Sequence, residues 1–337
     1  MDWVRGEKLG HGSFATVSLA APTNQSSGLP PLMAAKSCGF SHSSSLANEK
    51  LILDDLQNCP EIIRCFGERI SYENGEQLYN ILLEYASGGS LADKLKSSGG
   101  SRLPESEVRR YTKALLRGVN YIHEVGYVHC DIKLQNILLG ENGAVKIADF
   151  GLAKRVFGGG EYSGCELRGT PMYMSPEMVA GGDQGPAVDI WAVGCAVVEM
   201  LSGAPAWRCS DVASLLMKIG VGGEVPEIPG DLSDEGKDFL GRCFIKDPLK
   251  RWTAEMLLDH PFIDGQDFVI SAVKENTTSP RSPFDFSDWV SSVGCSITSL
   301  PPPEYSAGSV SPAERLRQLV SYQSPDWSVS VDWVTVR

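Results

Sequence analysis

The sequence predicts an α+β fold of two lobes, a small β-rich N-terminal lobe and a larger helical one, followed by a mostly disordered C-terminal tail. Three observations carry this. Residues 1–85 alternate short runs of β-type residues with turn residues. From residue 90 onward the apolar positions recur at helical spacing. After about residue 265 no periodic apolar pattern persists, and residues 276–312 hold many Ser, Thr and Pro.

Taken in order, Val17 to Ala21 and Met33 to Lys36 read as strands, joined by the turn-rich stretch Pro22 to Pro31. Residues 44–56 place Leu46, Leu51, Leu53 and Leu56 between charges, which suits one helix. Leu78 to Tyr85 reads as a further strand, and Glu84 to Gly89 as the hinge between the lobes. Glu105 to His123 is the clearest helix. Pro104 stands at its start, and Val108, Tyr111, Leu115, Leu116, Val119 and Ile122 share one face. Residues 187–202, 211–219 and 233–244 follow as helices.

The chain has 337 residues, of which 42 % are hydrophobic, enough for a full core. Its 30 basic and 42 acidic residues give a formal charge of −12, which argues against non-specific nucleic-acid binding. Nine cysteines are scattered without a C-x-x-C pair, so neither a zinc site nor a disulfide framework is indicated. The N-terminus lacks a basic-then-apolar signal pattern, and the most apolar stretch, Ile190 to Leu201, is too short to span a bilayer. The expectation is a soluble intracellular protein with no membrane insertion, in cytoplasm or nucleus.

The chemistry lies in a few segments. Residues 129–136 read His-Cys-Asp-Ile-Lys-Leu-Gln-Asn, and Asp149-Phe150-Gly151 follows thirteen residues after Asn136. Asp131, Lys133 and Asn136 are the parts needed to orient a substrate hydroxyl beside ATP, and Asp149 the part needed to hold magnesium on its phosphates. An isolated Asp or Asn is most often a turn or cap residue; the joint order and spacing set that reading aside. Upstream, Gly10-His11-Gly12 lies between two predicted strands, where glycines let backbone amides approach phosphates. Alone the motif is weak and a plain turn fits it as well, but its position before Ala34-Ala35-Lys36 raises it. Lys36 can meet the phosphates from the third strand, and Glu49 on the predicted helix is placed to pair with it.

These segments identify the chain as resembling the protein kinase family over roughly residues 3–263. Ser175-Pro176-Glu177 looks like its A-P-E motif, and Asp189-Ile190-Trp191 like the segment that braces the catalytic loop. Arg251 falls where the family places the partner of Glu177, and His260-Pro261-Phe262 resembles the end of the domain. Lys133 within Asp-Ile-Lys-Leu-Gln-Asn matches the serine/threonine type. Gly169 to Glu177 and Gly12 to Val17, with a tail of repeated Asp-Trp, are similar to plant MEKK-like MAP kinase kinase kinases.

The resemblance implies a kinase domain over 3–264, with lobes of about 3–86 and 87–264, and a regulatory or disordered tail over 265–337. It implies ATP and Mg2+ as cofactors. Leu9, Gly10, Gly12, Val17, Ala34, Lys36, Glu49, Leu83, Glu84, Ala86 and Leu138 are implied at the ATP site, with Leu83 as gatekeeper. Asn136 and Asp149 are implied as metal ligands, Asp131, Lys133 and Asn136 as catalytic residues, and Thr170 as facing the acceptor. Residues 149–177 would be the activation segment; Glu177, Asp189 and Arg251 would be structural. MAP kinase kinases are the implied substrates. Two alternatives stay open: a serine/threonine kinase acting outside that cascade, and a pseudokinase scaffold, against which intact Lys36, Glu49, Asp131, Asn136 and Asp149 count.

One departure stands out. Cys130 occupies the position where many kinases carry the Arg that binds a phosphate on the activation segment, and cysteine offers no bidentate charge. The hypothesis is that activity needs little activation-segment phosphorylation; loss of activity on replacing Tyr162 and Ser163 would overturn it. Leu134 and Trp252, where Pro is common, affect no catalytic atom. In the tail, Asp-Trp occurs at 288–289, 326–327 and 332–333, and Ser-Pro begins at Ser279, Ser282, Ser311 and Ser324. Tryptophan is a strong short-motif anchor, and Ser-Pro sites suit proline-directed kinases. An untuned extension, or one folded back on its own domain, is the alternative.

Overall fold

The computed structural model describes residues 2–12, 15–24, 28–99, 102–156, 169–182 and 184–263. The tail motifs, Ser13, Phe14, Tyr162 and Ser163 lie outside the described residues. The N-terminal lobe is built on a five-stranded antiparallel sheet in the order β1-β2-β3-β5-β4. Its strands are β1 (Trp3–His11), β2 (Thr16–Pro22), β3 (Met33–Gly39), β4 (Cys65–Glu73) and β5 (Glu76–Glu84).

The two-residue period of a strand sorts β3 into two faces. Ala34 and Cys38 join the main core, whereas Met33 and Ala35 join a separate cluster with Trp3, Ala20 and Leu82 on the other face. Lys36 shares the side of Ala34, so it points where the main core opens into the cleft. The sequence reading leaves β4 unassigned. Its signal is Asn74-Gly75: both residues have positive φ (51° and 86°), as a tight hairpin between Glu73 and Glu76 requires.

Helix α1 (Ser44–Asp55) buries Leu46, Glu49, Ile52 and Leu53 as one stripe against the sheet. A buried glutamate in that stripe needs a partner. In the second lobe, α2 (Leu91–Ser97) starts at a reciprocal capping box of Ser90 and Asp93. Helix α3 (Glu105–Glu124) follows Pro104 and buries the predicted face together with Thr112 and Gly118. Helices α4 (Pro176–Ala180), α5 (Ala187–Ser202), α6 (Val212–Gly220), α7 (Asp234–Cys243) and α8 (Ala254–Leu258) complete the lobe. Helix α5 is apolar almost all round and is buried along nearly its whole length, packed on α3 and α7.

Two short ribbons position the site: β6 (Tyr127–Val128) pairs with β9 (Lys154–Arg155), and β7 (Ile137–Leu139) with β8 (Val145–Ile147). They bracket residues 129–136 and 148–153 from both sides. Elements of two or three residues are too short to show a period, so the sequence does not announce them. Among the described residues, no helix is long and apolar enough to cross a membrane.

Candidate active site

Three charged side chains meet across the lobes. Lys36 Nζ on β3 donates to Glu49 Oε1 and Oε2 on α1 at 2.8 and 2.6 Å, and to Asp149 Oδ1 at 2.9 Å. Glu49 is almost fully buried, whereas the Asp149 side chain is 48 % exposed toward the cleft. Burial opposes the charge on Lys36, but the two carboxylates outweigh it and raise its pKa. Burial pushes Glu49 up despite Lys36. The Lys36 ammonium holds the Asp149 carboxyl well below the usual carboxylate range. Asp149 is therefore an ionised carboxylate facing the cleft at neutral pH.

The loop after β6 presents a second group. Asp131 Oδ1 accepts from the Thr170 hydroxyl at 2.7 Å, and Lys133 Nζ lies 2.8 Å from Asp131 Oδ2 and donates to Thr170 Oγ1 at 2.9 Å. Asn136 Nδ2 donates to the Asp131 carbonyl and to Oδ2 at 2.9 and 3.0 Å. These bonds fix the amide plane and leave its oxygen uncommitted by them. Two residues here hold φ near +65°, Cys130 and Asp149, a region that costs a non-glycine residue about 1–3 kcal/mol. At Cys130 the strain is held by Asp189, whose carboxylate accepts the amides of His129 and Cys130 at 2.8 and 2.9 Å. Gly169 brings Thr170 in: a Cβ there would lie 2.7 Å from the Cys130 carbonyl, and its φ is +107°.

Above this pair lies an apolar slot. Leu9, Ala34 and Leu83 are buried in one cluster, with Val17 and Leu138 packed against it. Ala34 and Leu83 face each other across β3 and β5, and Ala86 is buried just beyond the strand end. Glu84 behaves differently: its carboxylate pairs with Lys146 at 2.9 Å and accepts the Arg64 amide at 3.2 Å. Any contact it makes in the slot would come from its backbone. Among the described residues, a Cβ at Gly10 would meet nothing within 4 Å, and at Gly12 only the Ala15 carbonyl at 3.7 Å. Packing among the described residues does not require glycine at either position.

The comparisons agree with this geometry. The protein kinase domain model matches residues 3–263. The chain belongs to the protein kinase family. It is 53 % identical to mitogen-activated protein kinase kinase kinase 20 of Arabidopsis thaliana, over all of both chains. It is 44 % identical to kinase kinase kinase 18 of the same plant, over 86 % of this chain and 85 % of that one. With number 17 the identity is 41 %, over 86 % and 77 %. The expected likeness to plant MAP kinase kinase kinases is borne out.

Away from its cleft this kinase carries a second charged assembly. Arg251, whose side chain is wholly buried, donates to Glu177 at 2.6 and 3.0 Å and to the carbonyls of Ile245, Ala187 and Lys246. His123 Nε2 lies 2.9 Å from Asp189 Oδ2. Burial would raise the Asp189 pKa, but His123 and the amides outweigh it and keep it below the ordinary value.

Some participants carry no role in the sequence reading. His129 accepts the Asp131 amide on Nδ1 at 3.2 Å, sets Nε2 3.2 Å from the Ala148 carbonyl, and packs edge-on against the buried Phe150 at 4.7 Å. It lies within the motif, so its position was readable but not its work. Tyr173 hydrogen-bonds Glu199 on α5, which no spacing rule connects. The Cys130 thiol is buried and points at the Val128 carbonyl at 3.8 Å, an unpromising setting for a nucleophile. Leu134 is core, and Trp252 packs beside His260 under Arg242.

Proposed function

We propose that this chain transfers the γ-phosphoryl group of ATP to serine or threonine hydroxyls of MAP kinase kinases. The observation that carries the reading is the Lys36–Glu49–Asp149 contact facing Asp131, Lys133 and Asn136 across one cleft. The likeness to proteins named MAP kinase kinase kinases, one of them along its full length, supports the tier.

Each residue has a task that its surroundings suit. The slot of Leu9, Val17, Ala34, Leu83 and Leu138 would take the adenine, with backbone of Glu84 to Ala86 along its edge. Gly10 and Gly12 would let loop amides approach the phosphates. Lys36, held by Glu49, would contact the phosphate oxygens. Asp149 and Asn136 offer hard oxygen ligands, and a small divalent cation completes such a set with water and phosphate oxygens. Bound there, Mg2+ would neutralise phosphate charge.

Asp131 would orient the acceptor hydroxyl and take its proton late, as the oxygen bonds to phosphorus and ADP departs. That its carboxylate already accepts a hydroxyl, that of Thr170, supports this role. Lys133 would offset charge on the transferring group. Phosphoryl transfer needs in-line placement and neutralisation more than covalent help. For the tail, the Ser-Pro sites would be acceptors for proline-directed kinases.

The test is transfer of labelled phosphate from ATP to a panel of inactive MAP kinase kinases and a generic acceptor, with Asp149→Ala alongside. Labelling of one or a few panel members by wild type alone is expected. Labelling of the generic acceptor only would remove the cascade assignment. No transfer by folded wild type would favour a scaffold.

A further inference from the structure

Outside the cleft, three side chains from three elements meet. Asp55 Oδ2 accepts the Tyr127 hydroxyl at 2.6 Å and Arg155 Nη2 at 2.7 Å. Arg155 Nε donates to the same Tyr127 oxygen at 2.8 Å, and its guanidinium lies 5.1 Å from the ring centre. Tyr127 is thus donor to one partner and acceptor from the other, closing a ring of three bonds.

The locations give the ring its meaning. Asp55 ends α1, six residues past Glu49 and so about 9 Å along the axis. Tyr127 opens β6, four residues before Asp131, and Arg155 closes β9, six after Asp149. Tyr127 and Arg155 are also paired across the ribbon. The ring therefore ties the helix bearing Glu49 to the two strands that bracket Asp131 and Asp149. It couples the two lobes at this point.

We propose that Asp55, Tyr127 and Arg155 are positioning residues that hold α1 in the place where Glu49 meets Lys36. The inference rests on the kinase reading of the cleft. It does not rest on fold stability. The Asp55 and Arg155 side chains are 42 % and 61 % exposed, and exposed ion pairs add little to stability.

The test uses the full chain with Arg155→Met, Tyr127→Phe and the exchange Asp55→Arg with Arg155→Asp. Each single variant should lose about threefold to tenfold in kcat toward a generic acceptor. KM for ATP should stay near wild type, and the unfolding midpoint should move by no more than about 3 °C. The exchange should recover most of the lost kcat, because the tyrosine hydroxyl can serve both partners in either order. Amide exchange at residues 50–56 should quicken in Arg155→Met. Wild-type kcat in both single variants, or a loss that tracks the midpoint and is not recovered by the exchange, overturns the proposal. A wild type that transfers no phosphate would instead strike the reading of the cleft, and amide exchange at 50–56 would then judge the ring alone.

Discussion

Two of the networks that set a cation against carboxylates, those at Arg251 and at Lys36, differ in their setting. At Arg251 the cation is sealed: its side chain has no exposed surface, Glu177 takes two of its bonds, and three carbonyls take others. At Lys36 the network is lopsided. Glu49 is enclosed behind it, while Asp149 in front is half open to the cleft. A closed network has all its valences spent inside the fold and serves to hold α4, α5 and the 245–251 turn together. An open one keeps valences for something that arrives. The lesson is that burial of the outer partner, rather than the strength of the pair, separates a brace from a site.

The comparison can be broken from either side. The largest effect is expected at the brace. Arg251→Ala would leave Glu177 and three carbonyls without their donor, and removing one partner of a buried pair costs about 3–5 kcal/mol. Chemical denaturation should show that loss, with activity falling only as the folded fraction falls. At the cleft the loss is in the chemistry itself. Lys36→Met should cost on the order of 3 kcal/mol or more in transition-state stabilisation, about two orders of magnitude in kcat per folded molecule, in addition to the stability lost because Glu49 is left buried without its partner. Should folded Lys36→Met keep the wild-type kcat, or Arg251→Ala leave the protein as stable as wild type, the distinction fails.

A smaller effect sharpens the picture. The Asp149 pKa is depressed by Lys36, so its contribution is full above the unfolded value of about 3.9 and disappears only as pH falls through the native value. The stability difference between wild type and Asp149→Asn should therefore be flat from pH 7 to about 5, and narrow below about 4. Its size should be at most about 1 kcal/mol, because Asp149 is half exposed. A difference that already narrows between pH 7 and 5 would mean that Lys36 does not hold Asp149 in its charged form.

Much of this was legible in the sequence, for a physical reason. Asp131, Lys133, Asn136 and Asp149 sit on short loops whose spacing must be kept for their atoms to converge, so the constraint shows as a linear pattern. The long helices were legible too, since α3 and α5 carry their burial as period or as an unbroken apolar run. What escaped is non-local. Tyr127 and Arg155 lie 72 and 100 residues beyond Asp55, and none of the three stands in a motif. That Asp189 braces the loop was legible through the family resemblance, but which amides it takes, those of His129 and Cys130, depends on α5 passing beneath the loop. The β6–β9 ribbon is two residues long on each side and is made by tertiary packing rather than by propensity.

The most direct test of the account is kcat for Asp131→Asn against wild type, with ATP and a hydroxyl acceptor, in protein whose melting is unchanged. Asparagine keeps the shape and can still meet Asn136 and Lys133 sterically, but cannot take the acceptor proton. The account predicts a fall in kcat of about 10²–10⁴, with KM for ATP near wild type. A kcat within about threefold of wild type would contradict the place of Asp131 at the centre of the reaction.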